Sequence, residues 1–173
     1  MKKEMHRASI GEVQLIPATI NDFDLYHEIK SEEHSIYWGG FNSKPNKDKL
    51  FEIYSDHIKN KNREILLIKW KNLEAGFVAY KQISEKLCIG QGINISKKFS
   101  GNGLGAIAYK KLIEHIKDRY LKCEKFTLSV RDDNSRMQKT ITDCGFKITN
   151  IYTDPYLDSD NKKIKMFIWE INI

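Results

Sequence analysis

Apolar positions recur along the chain with two different spacings, and the switches between them mark its elements. Val13-Gln14-Leu15-Ile16 alternates weakly and stops at Pro17, which predicts a first strand. Thr19 to Asp22 supplies capping residues, and Phe23, Tyr26, His27 and Ile29 then recur at helical spacing. After the Gly39-Gly40 break, Lys47 to Lys59 repeats that spacing with Leu50, Ile53, Tyr54 and Ile58. The dense apolar run Ile65 to Trp70, the polar turn Lys71 to Glu74 and the run Gly76 to Tyr80 predict a hairpin. Leu87 to Ile95 reads as a third strand of this series, in which Gly90 and Gly92 mark a bulge or a close backbone approach.

The second half changes rhythm again. Leu104 to Arg119 carries a helix face of Ile107, Ala108, Leu112, Ile113 and Ile116. Phe126 to Val130 is a strand, and Asn134 to Asp143 is a short helix stopped by Cys144-Gly145. Phe146 to Tyr152 and Ile164 to Ile171 close the chain as strands around the polar loop Asp158-Ser159-Asp160-Asn161. The order is βααβββαβαββ, a mixed α/β (α+β) domain with a central sheet of about seven strands and about four helices.

Composition narrows the classes. A chain of 173 residues, 40% hydrophobic and 30% charged, suits one globular domain spanning 1–173, with about the first ten residues as a flexible N-terminus. No apolar run reaches the roughly 18 residues of a membrane span. The charged start Met1 to Arg7 is not followed by an apolar stretch, so no signal peptide is expected. Cys88, Cys123 and Cys144 form no C-x-x-C pair, which points to reduced thiols in a cytoplasmic protein. The net charge of +6 is spread among acids, as in Lys59 to Glu64, rather than gathered into a basic stripe with interleaved aromatics. That argues against a nucleic-acid partner. A modest positive field also suits a polyanionic cofactor.

The chemistry concentrates at Ile93-Asn94-Ile95-Ser96-Lys97-Lys98-Phe99-Ser100-Gly101-Asn102-Gly103-Leu104-Gly105-Ala106, where a strand runs through alternate glycines into an amphipathic helix. The first turn of a helix carries N–H groups without intrahelical partners, and its aligned peptides add about half a positive charge. Gly101, Gly103 and Gly105 let those donors approach one anion closely, so the segment describes a pyrophosphate cradle. No Gly-Lys-Ser/Thr follows, so it is not a P-loop. A third glycine at dinucleotide-fold spacing and an acid ending the next strand are both missing.

This loop, followed by a helix of about four turns, a strand, Asn134 and then Gly145-Phe146, resembles the GNAT acetyltransferase family. Val130 to Phe146 is similar to the family's second signature, an asparagine after a strand and eleven residues before a Gly-Phe. The element order agrees from Val13 to Ile171. The long N-terminal helices and the Asp143-Cys144-Gly145-Phe146 ending look most like the branch of ribosomal-protein N-terminal acetyltransferases, which sugar-nucleotide and aminoglycoside acetyltransferases also resemble.

The resemblance implies a splayed strand pair holding acetyl-CoA, with direct attack by a primary amine in a ternary complex. It assigns the pantetheine arm to the backbone of Ile93 and Ile95 and to Asn134 on the opposite side. The pyrophosphate falls to Ser100, Gly101, Asn102, Gly103, Leu104, Gly105 and Ala106, and Lys98, Lys110 or Lys139 to the adenosine phosphates. No metal is implied, and a homodimer is left open.

Departures from the family pattern limit the mechanism. Ser100 stands where the phosphate loop usually has arginine or glutamine, Ile141 where many relatives carry an acidic tyrosine, and Met137 where one branch has serine. Glu85, at the entrance of the bulged strand, is one candidate base. Glu32, Glu33 and His34 sit near the end of the first helix, where the resemblance implies the acceptor site, and His34 is the other candidate. Ser129 and Tyr80 are weaker ones. Tyr37, Trp38 and Phe41, in a glycine-flexed loop, are expected to wall the acceptor pocket. The expected acceptor is an amino sugar or another small molecule, with a protein N-terminus as the alternative. A non-catalytic acyl-CoA sensor or scaffold is the competing class.

Overall fold

A computed structural model describes residues 7–157 and 163–173. The expected loop at Asp158 to Asn161, and the first six residues of the expected flexible N-terminus, lie outside them. The elements are β1 (Val13–Pro17), α1 (Phe23–Lys30), α2 (Glu33–Trp38), α3 (Lys47–Lys59), β2 (Arg63–Trp70), β3 (Leu73–Ser84) and β4 (Leu87–Ile95). α4 (Leu104–Arg119), β5 (Lys125–Arg131), α5 (Ser135–Asp143), β6 (Lys147–Leu157) and β7 (Lys163–Asn172) follow. The strands form one seven-stranded sheet in the order β1-β2-β3-β4-β5-β7-β6. Every neighbouring pair is antiparallel except β4 and β5, which run parallel.

Both faces of the sheet are covered, which is why Ile65 to Ile68 reads as an unbroken apolar run. Leu66, Ile68, Val78 and Tyr80 face the α4 side, where they join Ala108, Leu112, Ile116 and Phe126 in one core. Ile65, Leu67, Phe77 and Ala79, one residue out of phase, pack against Phe23, Tyr26, Ile29 and Tyr54 of α1 and α3. The period of two sorts each strand cleanly between the two layers.

Caps fix the helix ends. The Asn46 side chain accepts from the Lys49 N–H at 3.0 Å and starts α3. α5 ends as the sequence suggests. Gly145 is left-handed at φ 93°, with Gly145 N–H bonded to Thr142 and Phe146 N–H to Ile141, which is a Schellman arrangement. The far half of α4 is tied to the sheet by a buried polar group. Glu64 on β2 accepts from Tyr80 Oη at 2.6 Å and from His115 Nε2 at 2.7 Å, with Arg119 at 3.4 Å. Burial disfavours the charged Glu64, but the bonds from His115 and Tyr80 outweigh it and hold its carboxyl below the ordinary value.

The element order differs from expectation at one place. Glu33 to Trp38 is a helix of its own, so five α-helices are present among the described residues. Tyr37 and Trp38, expected in a loop, stand on its last turn.

Candidate active site

β4 and β5 pair only at their starts, through Leu87↔Lys125, Cys88↔Phe126 and Ile89↔Thr127. Beyond Ile89 the strands part, and a cleft of about 1070 Å³ opens between them. Two glycines shape this fork. At the vertex, a Cβ on Gly90 would lie 3.1 Å from the Leu128 Cβ, so glycine permits the close approach there. Next to it Gln91 is an extra residue, because Ala79 pairs with Gly92 and Tyr80 with Gly90. Gly92 takes up this bulge with φ 119°.

The bulge leaves the rest of β4 as an open edge. Ser96 N–H donates back to Ala75 at 2.8 Å, and no cis peptide occurs, so the Ile95 carbonyl points the opposite way, into the gap. Strand alternation then aims both the N–H and the C=O of Ile93 and Ile95 at the cleft. β5 pairs with neither residue.

At one end of the cleft the loop after β4 forms a ring of donors. Gly101 (φ 89°) and Gly103 (φ 80°) are left-handed, and Gly103 is the N-cap of α4 with no side-chain cap. The main-chain N–H groups of Gly101, Asn102, Gly103, Leu104, Gly105 and Ala106 find no acceptor among the described residues. The loop is braced from behind. Asn102 gives its amide to the Phe99 carbonyl at 3.0 Å, and its own carbonyl accepts from Ala8 N–H at 2.9 Å. Nothing lies within 4 Å of a Cβ placed on Gly103, so the cradle faces open space. Unpaired donors, helix-end dipole and a free approach are what a diphosphate requires. Ser100 differs, since its N–H is used by the Lys97 carbonyl at 3.2 Å and only its hydroxyl remains.

Asn134 stands across the gap at the start of α5. Its Oδ1 accepts from Met137 N–H at 3.0 Å, so the side chain offers the cleft only its NH2 donor. Lys139 lines the same end and is paired with Asp143 at 3.1 Å.

The other end is built by α2. Glu32, the residue before it, accepts from Ser96 Oγ at 2.6 Å and from Lys97 N–H at 2.8 Å. His34 Nε2 donates to the Ile95 carbonyl at 3.0 Å, and Ser35 accepts from Asn94 at 3.1 Å. At the far end of α2, Arg131 of β5 donates to the Tyr37 carbonyl at 3.3 Å. Its guanidinium lies 5.2 Å from the Tyr37 ring and 5.4 Å from the Trp38 ring. Arg131 is only 6% exposed and is matched by Asp133 through bonds of 2.9 and 2.7 Å. The Arg131 bonds hold the Asp133 carboxyl below its usual value.

The expected residues divide accordingly. Ile93, Ile95, Ser100 to Ala106, Asn134, Lys139, His34 and Trp38 all line one cleft. Glu85 does not reach it. That residue is on the β3–β4 turn at the closed end of the fork, in an exposed pair with Lys122 at 3.2 Å. Tyr37 stands behind Trp38 with the rings 4.8 Å apart, and Phe41 rests against Gly39 outside the cleft. The ring nitrogen of His34 facing a carbonyl must carry the proton. The other, Nδ1, is buried 3.5 Å from Glu32, with no lone pair presented to the cleft. Glu33 lines it too, as its place beside His34 led one to expect, while Arg7, Arg131, Arg136 and Met166 line the cleft without having been anticipated. For Arg7 the missing signal is its neighbour's bond to Asn102. Arg131 is indistinguishable in sequence from the other basic residues.

A parallel pair that forks after three residue pairs, a bulged open edge and a donor ring at a helix start together define an acyl-CoA-dependent acyltransferase site. The chain belongs to the acetyltransferase (GNAT) family, whose sequence profile matches residues 24–146. It is thus an N-acetyltransferase using acetyl-CoA, which supplies the activated acetyl thioester when bound. No functionally curated protein matches the chain in sequence. Among solved structures, the spermidine N-acetyltransferase from Vibrio cholerae in complex with CoA and spermine superposes with a TM-score of 0.82 at 16% identity, covering 94% of this chain and 96% of that one. The Salmonella typhimurium acetyl transferase that modifies the N-terminal serine of the 50S subunit protein L7/L12 gives 0.79 at 14%, over 94% and 95%. The microcin C7 self-immunity acetyltransferase MccE, in complex with acetyl-CoA and AMP, gives 0.76 at 19%, over 94% and 93%. At such identities the likeness is one of fold. No helix among the described residues is long and apolar enough to cross a membrane.

Proposed function

We propose that this protein acts as a single domain in the cytoplasm and acetylates the primary amine of a compact small molecule, by direct attack in a ternary complex. The reading is carried by one observation: the unpaired donors of Gly101 to Ala106 and the edge of β4 at Ile93 and Ile95, which β5 leaves unpaired, line one continuous cleft that ends at α2. The cradle holds the diphosphate. The N–H and C=O of Ile93 and the N–H of Ile95, whose carbonyl is taken by His34, hold the arm by strand-like bonding with the Asn134 amide opposite. A compact acceptor is favoured because the far end is bounded by α2, which is bonded to both arms of the fork, and by Met166 of β7.

Acyl transfer to an amine needs a neutral nucleophile, alignment and an outlet for the leaving thiolate. Glu33 lines the cleft and has no partner among the described residues, so it receives the incoming ammonium, which gives up a proton to water there. The amine then forms the C–N bond as the C–S bond breaks, and its second proton passes through water to the leaving thiolate. The other cleft carboxylate, Asp143, is committed to Lys139. His34 acts through the Ile95 carbonyl as a positioning donor rather than as the base. Alignment along the fork provides most of the rate, an effect worth up to about 7–11 kcal/mol.

The deciding experiment follows thiol release from acetyl-CoA with a panel of amino sugars, polyamines, amino alcohols and an N-terminal peptide. Turnover with a small amine supports the proposal, and turnover with the peptide alone replaces the acceptor class. A second reading, a non-catalytic acyl-CoA sensor, draws on Ile141 and Met137 at the places of the familiar acids. Tight binding of acetyl-CoA without turnover of any amine would select it.

A further inference from the structure

We propose that Arg131 is an acceptor-positioning residue, which sets α2 and the Trp38 wall against the open end of β5. The inference rests on the acetyl-transfer reading and refines it. α2 has only six residues and buries just Ser35, so its own packing cannot fix it. It is held instead by cross-ties to both arms of the fork. Glu32, His34 and Ser35 tie its start to Asn94, Ile95, Ser96 and Lys97 at the end of β4. Its other end depends on Arg131, through the Tyr37 carbonyl and through the guanidinium lying over both rings.

The chemistry of Arg131 suits a fixed strut better than a ligand contact. Asp133 takes two of its nitrogens in a forked pair, and a third goes to Tyr37. Buried and neutralised in this way, the head has a defined orientation and adds little net charge that would repel an ammonium. Trp38, 40% exposed, presents the rest of its ring to the cleft. Met166, paired with Arg131 in the sheet, lies beside it on the same wall. Without Arg131, α2 would stay tied to β4 and lose its second support. The acceptor end would then loosen while the donor ring at the other end kept its shape.

The test compares Arg131→Met, Arg131→Lys, Trp38→Ala and the double variants. Steady-state kinetics are measured with the best amine of the panel, acetyl-CoA affinity by calorimetry, and amide exchange by mass spectrometry. Arg131→Met should raise the amine KM about tenfold, with acetyl-CoA affinity changed less than about twofold. Arg131→Lys should recover only part of the loss, since lysine keeps the charge without the planar fork. Combining either change with Trp38→Ala should cost no more than the worse single change. Exchange should quicken at residues 36–40 and stay unchanged at 104–112. Unaltered amine KM in a folded Arg131 variant, or fully additive losses with Trp38→Ala, would overturn the proposal. Should the wild-type protein turn over no amine, the transfer reading fails by itself, and exchange then decides: unchanged protection at 36–40 in Arg131→Lys rejects the strut.

Discussion

The two ends of the cleft are built on different principles. The end proposed for the cofactor is made of main chain: left-handed glycines, the first turn of α4 and the edge of β4. The end proposed for the acceptor is held by side chains, with Glu32 on Ser96, His34 on the Ile95 carbonyl and Arg131 on the Tyr37 carbonyl. Main-chain donors are present whatever the neighbouring residues are, provided the φ angles are met. A wall of cross-tied side chains can be retuned by single substitutions. A common cofactor can thus be held at one end while the other is left free to vary.

The sharpest way to break this contrast is Gly103→Val. At φ 80° a branched residue is strained, by about 1–2 kcal/mol, and its side chain would fill the open approach. Losing two charge-assisted bonds corresponds to a fall in acetyl-CoA affinity of about a hundredfold or more. Calorimetry should show that loss while far-UV dichroism stays native. Unchanged affinity would remove the cradle from the site.

Asn134 sharpens the comparison, because it belongs to both kinds of construction. Asn134→Asp keeps an oxygen to cap α5 and removes the donor, so acetyl-CoA affinity should drop about tenfold with stability nearly intact. Asn134→Ala should lose affinity and also about 1 kcal/mol of stability. Equal stability of the two variants in urea would contradict the cap.

At the acceptor end, Glu33→Gln should raise the amine KM by only a few-fold, as expected for an exposed ion pair. The acetyl-CoA affinity should stay as in the wild type, and a parallel loss of both would place Glu33 elsewhere in the cycle. The smallest effect concerns Asp133. Its carboxyl is held low by Arg131, so its contribution is full above the unfolded-chain value near pH 4 and fades as pH falls through the lowered one. The stability gap between wild type and Asp133→Asn, read from urea midpoints, should therefore narrow below about pH 4. A gap independent of pH would mean that the pair adds nothing.

What was legible in the sequence follows the same division. Glycine has few reasons to recur at Gly101, Gly103 and Gly105 just before an apolar helix, so the loop of unpaired donors could be located by inspection. The bulge announced itself through Gly90 and Gly92, and the strands through their period. The acceptor end gave no comparable signal. α2 is too short to show a helical repeat, and Gly39-Gly40 made its last turn look like loop. Arg131 owes its burial to Asp133, Tyr37 and Trp38, and long-range partners leave no local mark. Glu85 was misplaced because the strand entrance is the closed end of the fork, while the bulge lies at Gln91.

One consequence lies far from the chemistry. From Leu104 to His115, α4 spans about 16 Å, and the Glu64 cluster secures its distant portion to β2 and β3. The helix behaves as a beam clamped at the heel with its loaded tip at the glycine loop. How firmly that tip grips an anion is then set partly at the heel. Loosening His115 should shorten the cofactor's residence time before any residue of the cradle is touched.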